Sequence, residues 1–323
     1  MPAAAKPQVI AIEEHYLDPE VKEHIAAADR TGGPGIAARL DDVGQGRIAE
    51  MDAAGIDIQV LSHGAPSVQK IGDPDLAVRL AHAANDRLAE IVRAHPDRFA
   101  AFAMLPTADP NAAADELERS VTRLAFKGAM VHGLSNGLFL DDRRFWPIFE
   151  RAQALDVPLY LHPAIPHPAV IDAYYKDYVS RYPNLLRAAW GFTVETATQG
   201  IRMVLSDVFQ TYPRLKIILG HFGEGLPFLL WRINMALVRD GAGPTWFRDT
   251  FCEHFWVTTS GFFSDPALLH CIQEIGIDRI LFSVDYPFVE NAPGTEWAAR
   301  IPLSAADREK ILSGNAKRLL KLS

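Results

Sequence analysis

Val9-Ile10-Ala11-Ile12-Glu13-Glu14-His15 runs four apolar, mostly β-branched residues straight into three that ionise or ligate. A short apolar run without polar alternation fits a strand buried on both faces, as in parallel sheets. The C-terminal ends of such strands are where parallel barrels carry their chemistry. The same pattern recurs along the chain, with apolar runs at residues 9–12, 56–61, 99–105, 128–131, 158–161, 216–219, 255–259 and 279–284. Between them lie amphipathic segments, among them 75–94, 112–124, 145–155 and 266–275, most bounded by Pro, Gly or Asp. Parallel strands need crossover helices of this kind. No Gly/Ser-rich linker or shift in composition interrupts the series, so the expected fold is α/β, a single (β/α)8 TIM barrel over residues 1–323. Two stretches exceed the repeat: residues 17–40, rich in Gly and Ala, and residues 164–189, with Tyr174, Tyr175, Tyr178 and Tyr182. They follow strands 1 and 5, which makes them expected active-site loop insertions.

The ends of the runs share a chemical character. Glu13, Glu14 and His15 close the first, Ser62 and His63 the second, His132 the fourth, His162 the fifth, His221 the sixth and Asp285 the eighth. His fills only 11 of 323 positions, so its concentration there points to a convergent metal site. Side chains two apart on a strand share a face, which puts Glu13 and His15 together and Glu14 opposite, in a supporting role. Glu13, His15, His162 and Asp285 then form a mixed oxygen and nitrogen set suited to Zn or Mn. A helix starting at His221 would bring Glu224 over the imidazole and set Arg232 on the same stripe roughly 12 Å farther along. His63 and His132 are candidates to face substrate.

Bulk properties limit the partners. A net charge of −8 repels phosphate backbones and anionic lipid surfaces, so neither nucleic acid nor a membrane is expected. Cys252 and Cys271 form no Cys-x-x-Cys pair, which suits a reducing compartment, and the expected location is cytoplasmic. Residues 1–7 lack the apolar centre of a signal peptide, and no run approaches the roughly 20 apolar residues of a membrane span.

Five motifs, in order, resemble the aminocarboxymuconate-semialdehyde decarboxylase branch of the amidohydrolase superfamily, above all its gamma-resorcylate (2,6-dihydroxybenzoate) and 2,3-dihydroxybenzoate decarboxylases. They are Glu13-x-His15, Leu161-His162-Pro163, Leu219-Gly220-His221-x-Gly223-Glu224-Gly225-Leu226-Pro227, Thr258-Thr259-Ser260-Gly261 and Phe282-Ser283-Val284-Asp285-Tyr286-Pro287-Phe288. The resemblance implies one divalent metal per chain (Zn or Mn) at Glu13, His15, His162 and Asp285, and no organic cofactor. No lysine ends the fourth run, where binuclear relatives carry a bridging one. It implies a carboxy-lyase that converts an ortho-hydroxybenzoate-type aromatic acid to a phenol and CO2 without oxidation. Asp285 is then the proton donor, served by His221 and Glu224, with His63, His132 and Arg232 near the small aromatic acid. Members of the branch pair through helix-end surfaces around Arg232, so a homodimer or homotetramer is expected. A metal-dependent hydrolase or hydratase shares the ligand set. Two departures bear on substrate: Pro163-Ala164-Ile165-Pro166 replaces the usual Pro-Arg-Asn-Pro, and His132 stands where the resorcylate enzymes tend to carry Asn.

Overall fold

The computed structural model of the chain describes residues 7–26 and 34–322. Of the segments considered above, residues 1–6 and 27–33 lie outside the described residues. The strands are β1 (Ile10–Tyr16), β2 (Ile58–His63), β3 (Phe99–Ala101), β4 (Ala103–Met104), β5 (Ala129–His132), β6 (Pro158–His162), β7 (Lys216–Leu219), β8 (Phe255–Thr258) and β9 (Ile280–Leu281). They pair in sequence order as β1 to β3 and β4 to β9, every pair parallel. The third apolar run thus carries two strands. At the step between them the Phe102 N–H donates to the Leu61 carbonyl at 2.9 Å and the Ala103 N–H to the Gly128 carbonyl at 2.9 Å, which joins the two sheets. Past β9 the chain returns to β1, where the His15 N–H donates to the Tyr286 carbonyl at 2.7 Å and the Asp285 N–H to the Glu13 carbonyl at 3.1 Å. The ring of strands closes as the βα repeat predicts.

Asp-Pro pairs set several helix starts. Asp73 and Asp109 cap the helices Pro74–Ala94 and Pro110–Arg123 by accepting two backbone N–H groups each, and Pro takes the first turn, where no N–H is needed. Ser264 caps Asp265–Ile275 by accepting the Ala267 N–H, again with Pro in the first turn.

The barrel interior holds Ile10, Ile12, Val60, Phe102, Met130, Tyr160, Ile218 and Leu281, while Ala11, Leu61, Ala101, Val131, Leu161 and Leu219 face the helices. Strict alternation from Ile10 and Ile12 would send Glu14 inward. A register shift between Ala11 and Glu14 reverses the phase, so Glu13 and His15 face the centre instead. Glu14 closes the barrel. Its Oε1 accepts the Val284 N–H at 2.9 Å and its Oε2 the Tyr286 N–H at 3.1 Å, replacing strand bonds that the short β9 lacks. Burial outweighs these donors and the Arg47 charge, and pushes the Glu14 carboxyl up to about 8.

The second insertion is a string of short turns from Pro168 to Leu186. Of its tyrosines only Tyr175 is buried; Tyr174, Tyr178 and Tyr182 are exposed. In the first insertion Val21 and Ile25 pack on the helix Pro74–Ala94, and Asp18 takes two 2.7 Å hydrogen bonds from Arg87. Among the described residues no helix is long and apolar enough to cross a membrane.

Candidate metal centre

Four side chains from two strands, β1 and β6, and the loop after β9 converge at the C-terminal mouth. Glu13 Oε1 lies 3.2 Å from His162 Nε2 and 4.0 Å from His15 Nε2, and His15 Nε2 lies 3.2 Å from Asp285 Oδ1. One ligand atom from each lies within 4.8 Å of every other. Glu13 Oε1, His15 Nε2 and Asp285 Oδ1 are buried and make no hydrogen bond of normal geometry. Buried polar atoms aimed at one point without partners are costly unless something binds there. Two carboxylates and two imidazoles fit a divalent cation, so the residues present match the group they would hold.

Each ligand is held from behind. The His162 Nδ1–H donates to the Pro163 carbonyl at 2.7 Å, and His15 Nδ1 meets the Ser62 hydroxyl at 3.2 Å, which leaves both Nε2 atoms for the centre. The Tyr160 and Ser260 hydroxyls donate to Glu13 Oε2, with Thr258 Oγ1 at 3.3 Å, so Oε1 is the free oxygen. Burial raises the Glu13 pKa, but His221, His162 and His15 overcome it and hold the carboxyl far below its usual range. Burial also works against charge on Asp285, and the neighbouring His15 and His221 imidazoles keep its pKa low. Tyr160→Phe removes one donor from Glu13 while keeping the ring. Metal affinity should fall by ~10- to 100-fold with little change in melting temperature, as read by competitive chelator titration.

His221 and Glu224 do not start a right-handed helix. His221, Phe222, Gly223, Glu224 and Gly225 all have positive φ, from 49° to 77°, so this is a left-handed turn. It still brings the i and i+3 side chains together, with His221 Nδ1 2.7 Å from Glu224 Oε1. His221 Nε2 lies 3.9 Å from Asp285 Oδ2. Burial opposes charge on His221, yet the Glu224 and Glu13 carboxylates, the nearby Asp285 and the hydrogen bond to Glu224 lift its pKa well above the ordinary value. The turn breaks the stripe expected to link Glu224 with Arg232. Arg232 is exposed on the separate helix Leu226–Ala236 and is not brought to this centre by its own chain. Left-handed backbone costs L-residues roughly 1–2 kcal/mol each. Gly223 relieves that strain at φ 73°, where a Cβ would sit 2.8 Å from Val257 Cγ1. Gly223→Ala should therefore lower stability by about 2–4 kcal/mol, combining backbone strain and overpacking, in a chemical denaturation series.

Register places the remaining histidines. His132 pairs with His162 across β5 and β6, with ring centroids 4.8 Å apart, and makes no hydrogen bond of normal geometry. The buried His63 donates from Nδ1 to the Gly64 carbonyl at 2.8 Å, and burial pushes its pKa down to about 4. His132 opens onto a cavity of about 520 Å³ whose wall includes Ala164, Ile165 and Pro166 of the second insertion. His167 lines it too.

Residues 15–322 match the amidohydrolase family profile. The chain belongs to the amidohydrolase family. This amidohydrolase is 43% identical to the gamma-resorcylate decarboxylase of Polaromonas sp. strain JS666, with 97% of this chain and 98% of that protein covered. Its fold superposes on a 2,6-dihydroxybenzoate decarboxylase complexed with 2,6-dihydroxybenzoate at TM-score 0.90 and 41% identity, covering 98% and 100% of the two chains. A dihydroxybenzoic acid decarboxylase from Polaromonas sp. JS666, with bound manganese and the inhibitor 2-nitroresorcinol, superposes at TM-score 0.88 and 42% identity, covering 98% of each chain.

Several supports of the amidohydrolase centre escaped the sequence reading. Tyr160 reads as core, because it sits inside an apolar run and its hydroxyl partner lies on another strand. Arg47 is fully buried and donates to the His15 carbonyl beneath the centre. Gln69 clamps β5, its Oε1 accepting the His132 N–H and its Nε2 donating to the Ser135 hydroxyl at 3.1 Å. Thr258 and Ser260 were visible only as members of a motif.

Proposed function

We propose that the chain is a carboxy-lyase that removes CO2 from an ortho-hydroxybenzoate-type acid without oxidation, using one divalent ion, Zn or Mn, held by Glu13, His15, His162 and Asp285. The observation that carries the reading is the convergence of these four groups beside the His221–Glu224 pair, in a chain 43% identical to a gamma-resorcylate decarboxylase over 97% of its length. When bound, the ion supplies Lewis-acid polarisation of substrate oxygens.

The chain's own residues do the rest. The phenolic and carboxylate oxygens turn toward the four-ligand cluster, and His132 lies along the ring on the cavity side. Asp285, once protonated, delivers its proton to the ring carbon bearing the carboxylate. The bond to the carboxylate carbon then breaks, its electrons restore the aromatic ring, and CO2 leaves. His221 returns a proton from Nε2 to Asp285 Oδ2, 3.9 Å away, while Glu224 steadies the imidazolium. His63, neutral and tied to Gly64, supports the wall behind His15.

The reading includes a homodimer or homotetramer. The helix Leu226–Ala236 exposes Phe228, Leu229, Trp231 and Met235 beside Arg232, an apolar face of the kind that marks subunit contacts. Sedimentation should show an assembly larger than one chain, and a single 35.7 kDa species at all concentrations would count against it. Free Cys252 and Cys271 suit a reducing, cytoplasmic setting. The activity itself is tested by CO2 release from salicylate, 2,3-, 2,4- and 2,6-dihydroxybenzoate and 5-carboxyvanillate, run beside amide and lactone substrates. Turnover confined to the amides or lactones would replace this reading with hydrolysis.

A further inference from the structure

The cavity beyond His132, at about 520 Å³, falls in the ~300–1,000 Å³ range that encloses drug-sized ligands, more than a single benzoate ring fills. Its wall contains none of Glu13, His15, His162 or Asp285, yet it adjoins them, because His132 on that wall sits in register with His162. Apolar side chains from three separate elements line it: Leu134 after β5, Ile165 from the second insertion and Phe192 from the first turn of the helix Gly191–Leu205. Each is only half-buried, so apolar surface is left uncovered around one space. Gln69, Lys70 and Arg187 also reach the wall but are already engaged, Gln69 by the His132 backbone and Ser135, the two cations by other groups of the chain. His132 differs. It is 3% exposed, and neither ring nitrogen makes a hydrogen bond of normal geometry. Buried nitrogens of that kind are costly unless a ligand meets them, which places a ligand at the mouth of this cavity.

We infer that this cavity is a subsite for an apolar arm on the ring edge opposite the hydroxyl and carboxylate, with Leu134, Ile165 and Phe192 as the side chains that select it. The inference rests on the proposed decarboxylation and names its substrate class: an ortho-hydroxybenzoate carrying a short alkyl chain. A ring whose chelating oxygens face the cluster turns its far edge outward past His132. A neutral imidazole donates from one nitrogen and accepts at the other, so His132 can meet a ring hydroxyl there. The alkyl chain continues into the cavity and covers the half-buried apolar surface, and the removal of both from water supplies the affinity. A polar arm in the same place would give up its hydration to a wall whose cations already have partners.

The test compares three ligands on the metal-loaded enzyme: 2-hydroxybenzoate, its propyl derivative and its 2-hydroxyethyl derivative, with each arm placed at ring carbon 4 and, separately, at carbon 5. The two arms have nearly the same shape and differ in a methyl against a hydroxyl. Both kcat/KM and calorimetric affinity are measured for each. At one of the two positions the propyl acid should exceed its hydroxyethyl counterpart by about tenfold or more, the scale of burying a hydroxyl without a partner. Ile165→Asn and Leu134→Asn should each reduce that propyl-to-hydroxyethyl ratio, acting mainly through KM. An equal or reversed preference in binding at both positions, or a ratio unmoved by both variants, overturns the subsite. Binding separates the two ideas: selective binding of the propyl arm without CO2 release would sustain the subsite and overturn the proposed reaction. CO2 release from the unsubstituted acid without selectivity would do the opposite.

Discussion

Asp285→Asn should keep most of its metal and lose turnover by ~100-fold or more, the scale of lost general-acid catalysis. Asparagine preserves the size and one carbonyl oxygen, so a ligand contact survives, but it has no acidic proton to deliver to the ring carbon. The position allows the distinction because Oδ1 lies 3.2 Å from His15 Nε2 while Oδ2 faces His221. If the residue served only to hold the ion, added Mn or Zn would restore activity in proportion to occupancy. Kinetics on variant protein with measured metal content decide between the two. A metal-replete variant working at a near-normal rate would move the proton donor to His221.

His162→Ala and His15→Ala should each strip the ion. Each removes one of four ligands from a centre whose remaining polar atoms are already without partners. The loss in affinity should exceed the ~10- to 100-fold that removal of a mere supporting group costs. Elemental analysis after dialysis should find the variants depleted and the parent near one ion per chain. Full occupancy in both variants would show that the ion sits elsewhere.

Much of this was legible because barrel geometry ties position in the sequence to position in space. An apolar run ending in His or a carboxylate points its last side chains at the mouth, and so His15, His162 and Asp285 could be grouped before any coordinates. The β1 register shift could not be read, since a bulge is a relation between two strands, and simple counting from Ile10 turns the wrong glutamate inward. The turn at His221 was hidden for a related reason: His-Phe-Gly-Glu-Gly satisfies helical spacing, and only two glycines hint at left-handed backbone. That error carried Arg232 onto a stripe that does not exist. Tyr160 was lost because a buried aromatic in an apolar run looks like packing, whereas its hydroxyl fixes Glu13.

The central claim is that one bound ion and these residues together release CO2 from a hydroxybenzoate. It is tested most directly with 2,6-dihydroxybenzoate labelled at the carboxyl carbon, incubated in deuterated water with enzyme stripped of metal and then reloaded stepwise. The account predicts no labelled CO2 from the stripped protein and release that rises with Mn or Zn to a plateau at one ion per chain. One deuterium should appear on the phenol at the former carboxylate carbon. Release undiminished in the stripped protein, or none from the fully loaded one, would contradict it.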